Sequence, residues 1–216
     1  MPLTAPKAIL FDWDNTLVDT WAVIHHALAV TFEAFGRTPW TLEETRQRVR
    51  ASARDAFPEL FGDDTEAATE LFYETFARDH LQGLAPRAGA PEALAALAAR
   101  DDLWLGVVSN KTGRYLREEA EHLGWSRHFR RVVGALDAVR DKPAPDPVVM
   151  ALAGSGLEPG PAVWFVGDTD IDMLCARNAG CTGLLIRDEA PGEGEFGAAP
   201  PHRHVATFEE LLGLIA

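Results

Sequence analysis

Apolar residues fall along this chain in two rhythms. Five short runs, at 8–11, 103–108, 132–135, 163–166 and 183–186, are apolar without polar alternation, which suits strands of a parallel sheet covered on both faces. Between them lie segments with helical spacing and recognisable starts. Pro91 opens an Ala/Leu-rich segment, Thr112 precedes 113–122 with Gly124 beyond, and a further segment runs to Ala179 before Gly180. Thr207-Phe208-Glu209-Glu210 matches a capping box. Strand and helix signals that alternate in this way predict an α/β fold, a parallel sheet with helices on both faces.

About ninety residues separate the first run from the second, far more than a βα loop or a single crossover helix needs. That stretch reads as helical at 21–35, with Val23, Ala27, Val30 and Ala34 in register, and again at 41–57 and 66–81. Thr41-Leu42-Glu43-Glu44 is a second capping box, and Gly36, Pro39, Pro58 and Gly62 punctuate the helices. The expected organisation is a core of 1–19 and 86–216 interrupted by a helical insert at 20–85. Such an insert suits a lid that closes over substrate, although an interaction surface or a structural bundle has the same pattern. Residues 190–201, rich in Gly, Pro and Glu, read as a flexible loop before the last strand.

The 216 residues are 47% hydrophobic and 25% charged, ordinary for a folded globular chain. A formal net charge of −13 argues against a nucleic-acid surface, which needs clustered cations to displace counterions. Residues 1–7 lack the features of a signal peptide, and no stretch approaches the roughly 20 apolar residues of a membrane span. The expected setting is the cytoplasm, with no membrane partner. Cys175 and Cys181, the only cysteines, have neither disulfide-scaffold nor zinc-ligand spacing and read as reduced thiols packed as small hydrophobes. His202 and His204 lie in a Pro-rich polar stretch and read as solvated rather than as a metal pair.

Chemistry-bearing residues collect where the apolar runs end. Asp12-Trp13-Asp14-Asn15-Thr16 follows the first run. Two carboxylates one residue apart repel, and a divalent cation that prefers oxygen ligands would compensate them, although Asp and Thr also cap helices. The second run ends in Ser109-Asn110-Lys111, offering a hydroxyl and an amide to an anionic oxygen, or simply a turn. After the third comes Lys142, stiffened by Pro143, Pro145 and Pro147. The chain has only three lysines, so it matters that Lys111 and Lys142 both fall beyond these runs, where a compact ammonium suits phosphate or carboxylate. The fourth run ends in Gly167-Asp168-Thr169-Asp170-Ile171-Asp172, with Asp168 and Asp172 on one side of a loop or first helical turn and Asp170 turned away. In open α/β sheets, ligands bind beyond the carboxyl ends of the strands, where all four groups fall.

These groups, in this order, resemble the motifs of the haloacid dehalogenase superfamily. The likeness is to its phosphoglycolate-phosphatase-like members with a helical cap, and it covers nearly the whole chain. Asp12, Asp14 and Thr16 match the first motif, Asp-x-Asp-x-Thr; Ser109 with Asn110 matches the second; Lys142 the third; Gly167, Asp168 and Asp172 the fourth. The resemblance implies a Rossmann-like core with the cap inserted after the first motif, a small phosphorylated metabolite as substrate, and Mg²⁺ as cofactor. It assigns the metal to the carboxylates of Asp12 and Asp168 and the backbone carbonyl of Asp14, with Asp172 orienting ligands or metal-bound water. Asp12 becomes the nucleophile that forms an aspartyl-phosphate, and Asp14 the acid and later the base. Thr16, Ser109, Asn110 and Lys142 become the phosphate ligands.

Within that superfamily Asp14 disfavours a dehalogenase, because it provides the acid that an alkoxide leaving group needs. The lack of lysine between Asp19 and Pro86 disfavours a phosphonatase-like Schiff base. A phosphotransferase or mutase shares all four motifs and is the enzymatic alternative; a phosphorylatable receiver-like domain or a degenerate binding-only member is the non-enzymatic one. Two residues depart from the family pattern. Asn15 stands where many relatives have Gly, at a turn that Asn tolerates. Trp13 stands where they have a smaller aliphatic residue, lining the site or packing beneath the cap. On the insert, Arg46, Arg50 and Arg54 recur every four residues, either as a solvated stripe or as a grip for a second anionic group of the substrate.

Overall fold

Strand β1, Ala8–Phe11, is fully buried along its length in the computed structural model, which describes residues 3–215. Met1, Pro2 and Ala216 lie outside that range, so the N-terminal segment read for targeting is described only from Leu3 onward. The chain divides into two units, one holding the residues up to Val18 and those from Pro86 onward, the other Asp19–Ala85. The crossing segments, β2 (Val18–Asp19) and β3 (Ala85–Pro86), pair with each other as a two-stranded ribbon.

The second unit is built from α1 (Trp21–Ala34), α2 (Leu42–Arg48), α3 (Ala53–Phe61) and α4 (Thr65–Asp79). Aromatic rings hold it together: Phe32 lies 4.8 Å from Trp40 and 5.4 Å from Phe61, and Phe57 bridges Phe61 to Phe72. The helix expected over 41–57 is in fact two. The Thr41–Glu44 capping box opens α2, but Val49 turns extended after Arg48 and a new helix starts behind Ser52. Pro58, expected as a boundary, sits inside α3. The helical spacing of Phe57 and Phe61 buries both rings and outweighs the one N–H donor that proline lacks. The break also dissolves the arginine stripe. Arg50 leaves the helix, and its guanidinium donates to the carbonyls of Arg46 and Val49, closing the end of α2.

The first unit continues with α5 (Ala90–Ala98), β4 (Trp104–Thr112), α6 (Gly113–His122), β5 (Arg131–Ala135), α7 (Asp146–Ala151), β6 (Val163–Gly167), α8 (Asp170–Asn178), β7 (Thr182–Ile186), β8 (Arg203–Val205) and α9 (Phe208–Gly213). The six-stranded sheet has the order β5-β4-β1-β6-β7-β8, and every pairing is parallel. This is the Rossmann-like, doubly wound arrangement, and its strand order reverses at β1, the place beyond whose carboxyl end ligands bind in sheets of this kind. On one face Leu10, Val108 and Phe165 pack with Val148 of α7 and with Cys175 of α8. Cys175 and Cys181 are free thiols buried in that same cluster. Among the described residues no helix is long and apolar enough to cross a membrane.

Three expectations need amendment in this unit. The stretch 190–201 is exposed over most of its length yet anchored, because Arg187 grips both oxygens of Glu195 at 2.7 Å while Phe196 and Ala199 bury against Met173 and Leu185. Thr207 accepts from the Glu210 N–H, but Glu210 reaches back to the Ala206 N–H, so that capping box is incomplete. The neighbouring His202 is exposed, as expected, with its ring accepting from the Gly183 N–H, and His204 meets the Arg187 carbonyl. Finally, β4 does not end at Val108. It runs on through Ser109, Asn110 and Lys111, with a shift of register against β5 between Val108 and Thr112.

That irregular strand end brings the start of α6 close against β5. A Cβ on Gly134 would lie 2.5 Å from the Gly113 Cα and 2.6 Å from the Lys111 carbonyl oxygen. Both obstacles are backbone. Gly134→Ala is therefore expected to lower the unfolding free energy in a urea titration by about 1–3 kcal/mol, the usual cost of forcing a packed core apart.

Candidate active site

The first site residue is delivered by β1. The Asp12 N–H donates to the Val166 carbonyl of β6 at 2.8 Å, and beyond it the chain turns tightly: the N–H groups of Leu17 and Val18 both donate to the Trp13 carbonyl. Asn15 sits in this turn with φ +61, in the left-handed region that Asn tolerates better than most residues. Its carbonyl accepts from Arg87 at 2.7 Å. An asparagine can thus hold this turn without a glycine.

Three strand ends converge on Asp12. Carboxylate oxygens of Asp12, Asp168 and Asp172 lie within 4.8 Å of one another. The Lys142 ammonium donates to Asp12 Oδ1 and to Asp172 Oδ1, each at 2.7 Å. Asp172 is fixed at the start of α8, where its other oxygen accepts from the Asp168 and Thr169 N–H groups at 3.1 and 3.0 Å. Gly167 leaves room for it, since a Cβ there would strike this carboxylate. Of the residues expected to bind phosphate, Thr16 donates its hydroxyl to Asp168 at 3.1 Å. Asn110 brackets the Lys142 backbone, accepting from its N–H at 3.0 Å and donating to its carbonyl at 3.2 Å. Ser109 is buried, and its hydroxyl oxygen accepts from the Lys111 N–H at 3.2 Å.

The Asp14 carboxylate is not a member of that cluster. Its Oδ1 lies 2.6 Å from the Lys111 ammonium, which also meets the two oxygens of Glu119 at 2.8 and 2.6 Å. Trp13 completes the group by donating its indole N–H to Glu119 at 2.7 Å, with its ring fully buried edge-on to Trp125 and Phe129. Sequence reading marks Lys111 only as an ammonium suited to phosphate or carboxylate, and passes over Glu119. The signal for Glu119 is its helical position, which puts it on the buried face of α6 with Leu116 and Ala120.

Burial sets the electrostatics. It pushes the Asp12 carboxyl up to about 7; Lys142 opposes the rise, while Asp172 and Asp14 add to it. Burial likewise holds Asp168 well above the usual carboxylate range, reinforced by Asp172 and Asp12. For Lys142 burial works downward, but Asp12 and Asp172 outweigh it and keep the ammonium above the usual lysine range. Lys111 follows the same pattern with Asp14 and Glu119. Three carboxylates facing one ammonium leave an excess of negative charge on hard oxygen donors. That donor set fits a divalent cation such as Mg²⁺.

Residues 9–186 match the sequence profile of the haloacid dehalogenase-like hydrolases. The chain belongs to that family. This haloacid dehalogenase-like hydrolase is 30% identical over 207 residues to phosphoglycolate phosphatase 1 of Pseudomonas aeruginosa, covering 86% of this chain and 75% of that one. It is 31% identical over 187 residues to N-acetylmuramic acid 6-phosphate phosphatase of the same organism, covering 84% of this chain and 81% of that one. A solved haloacid dehalogenase-like hydrolase of Streptococcus pneumoniae matches it with a TM-score of 0.84, at 22% identity, over 98% of this chain and 99% of that one, a likeness of fold. Family membership together with the aspartate cluster makes the chain an enzyme.

The Asp12 value of about 7 lies above its ordinary 3.8. A carboxyl raised on folding contributes stability that is complete at low pH and is lost as the pH rises through the folded value. Asp168 acts in the same direction. In EDTA the melting temperature should therefore fall between about pH 5 and about pH 8, and Mg²⁺ should raise it more at the higher pH. An equal Mg²⁺ effect at both would mean that the cation binds elsewhere.

Proposed function

We propose that this hydrolase cleaves a small-molecule phosphate monoester through an aspartyl-phosphate on Asp12, with Mg²⁺ as its cofactor. The observation that carries this reading is the separation of two acids within one short loop. Asp12 lies with Asp168, Asp172 and the Lys142 ammonium, whereas the Asp14 carboxylate lies against Lys111. A nucleophile toward phosphate needs cationic surroundings that tolerate a second anion, and a proton donor to the leaving oxygen does its work beside that centre. Mg²⁺, held by Asp12, Asp168 and the backbone carbonyl of Asp14 with Asp172 orienting its ligands, would neutralise phosphoryl oxygens.

In the first step Asp12 attacks phosphorus, the bond from phosphorus to the alcohol oxygen breaks, and Asp14 supplies the proton that the departing oxygen needs. In the second, Asp14 takes a proton from water, the water oxygen attacks phosphorus, and Asp12 is released as a carboxylate along with inorganic phosphate. Lys142 and Ser109 stand nearest in kind to what the spread phosphoryl charge requires. Thr16 holds Asp168 and Asn110 holds the Lys142 segment, and the phosphate contacts assigned to both rest on the resemblance. Residues 1–19 and 86–216 then house the chemistry, and 20–85 act as a cap that selects the substrate.

The names of the two Pseudomonas aeruginosa relatives supply the first substrates to try, 2-phosphoglycolate and N-acetylmuramic acid 6-phosphate. Release of inorganic phosphate from these and from p-nitrophenyl phosphate should require Mg²⁺ and stop with EDTA. Asp12→Asn should lower turnover by at least about a thousandfold without loss of melting temperature, as removal of a nucleophile does. Asp14→Asn should slow both steps and leave an acid-stable count of phosphorylated enzyme wherever the second step suffers more. Full activity in Asp12→Asn would sink the mechanism, and phosphate passed to a sugar hydroxyl instead of water would mark a phosphotransferase.

A further inference from the structure

Lys111, Glu119 and Trp13 form a closed chain of contacts that ends on Asp14. Glu119 is completely buried, and the Lys111 and Asp14 side chains are 4% and 18% exposed, so the set runs from the interior to one solvent-facing carboxylate. An ammonium has three N–H donors. The three contacts of Lys111, at 2.6 Å to Asp14 and at 2.8 and 2.6 Å to the two Glu119 oxygens, match that number. Glu119 in turn is pinned by the indole N–H of Trp13, and Trp13 is wedged against Trp125 and Phe129.

A buried ion pair is a poor device for stability alone, because desolvation costs about what the attraction returns and apolar packing serves as well. Here the pair reaches beyond itself to a second carboxylate, the one held apart from the Asp12, Asp168 and Asp172 cluster. We propose that Lys111, locked by Glu119 and Trp13, is the positioning residue for Asp14, keeping its carboxylate away from the acidic cluster so that it serves the leaving oxygen. Lys111 acts through Asp14 and does not touch the phosphoryl group. The inference rests on the reading of Asp14 as acid and base given above.

Leaving-group dependence separates positioning from a merely structural role. Ethyl phosphate expels a strongly basic alkoxide that needs a proton, whereas p-nitrophenyl phosphate expels a nitrophenolate that leaves without one. The ratio kcat/KM covers only the steps up to departure of that group, so slow hydrolysis of the phosphoenzyme does not enter it. With Mg²⁺ saturating, Lys111→Met should lower kcat/KM for ethyl phosphate more than for p-nitrophenyl phosphate, by on the order of tenfold or more, and Asp14→Asn should shift the ratio the same way. Lys111→Met strands Glu119 as a lone buried charge. If it does not fold, the double variant Lys111→Met/Glu119→Leu removes both charges and reads the same ratio.

Equal losses on the two substrates in the Lys111 variants, with Asp14→Asn still selective, would overturn the positioning role and leave the Asp14 reading standing. An equal rise of KM for both would assign Lys111 to the phosphoryl group and overturn it too. If Asp14→Asn itself shows no selectivity, the acid reading fails and the inference goes with it.

Discussion

A carboxylate buried at the end of a parallel sheet must meet a cation or take up a proton, and this site is organised by how two ammonium groups are divided among five acids. Lys142 faces Asp12 and Asp172, and Lys111 faces Asp14 and Glu119. The two groups are alike in chemistry and differ in balance, with two acids around Lys111 and three around Lys142. Around Lys142 the negative charge is in surplus, because Asp168 joins the cluster with the Thr16 hydroxyl as a bonding partner. That surplus is what a divalent cation can use. Around Lys111 the charge is closed off on the inner side by a buried glutamate and a tryptophan.

The sheet makes this division possible. β1 lies between β4 and β6, so a residue leaving its carboxyl end is flanked by the ends of both. Asp168 and Asp172 arrive from the β6 side, Ser109 through Lys111 from the β4 side, and Lys142 from the segment after β5. Alternation along the chain beyond β1 then sends neighbours to different company: Asp12 to Lys142, Asp14 to Lys111, and Trp13 into the apolar packing that anchors Glu119. Small residues keep these elements close. Gly134 admits the start of α6, and Gly167 admits the Asp172 carboxylate.

Much of this was legible because strands covered on both faces leave uninterrupted apolar runs, and charges set immediately after such runs have few structural uses. The sheet, the insert and the convergence of Asp12, Asp168 and Asp172 follow from that. Other parts depend on partners far away in sequence. Glu119 lies in a stretch of glutamates that resembles any solvated helix, and only its phase relative to Leu116 and Ala120 betrays burial. The break at Val49 was hidden because 41–57 keeps helical composition throughout, while the decisive contacts, Arg50 on two carbonyls and Phe57 on the aromatic cluster, are tertiary. The stretch 190–201 has the composition of a loose loop, yet a bidentate Arg187–Glu195 pair and two buried apolar side chains pin it. Trp13 could be read only as a large residue in an unusual place until its hydrogen-bond partner was seen.

The paired strands β2 and β3 have an architectural meaning of their own. The chain leaves the α/β unit at Val18 and returns at Pro86, and those two crossings are bonded side by side. The insertion therefore hangs from a single doorway. The acids and lysines of the site, Asp12, Asp14, Lys111, Glu119, Lys142, Asp168 and Asp172, all belong to the α/β unit. A segment attached in this manner can be lengthened, shortened or exchanged between lineages without re-threading a strand.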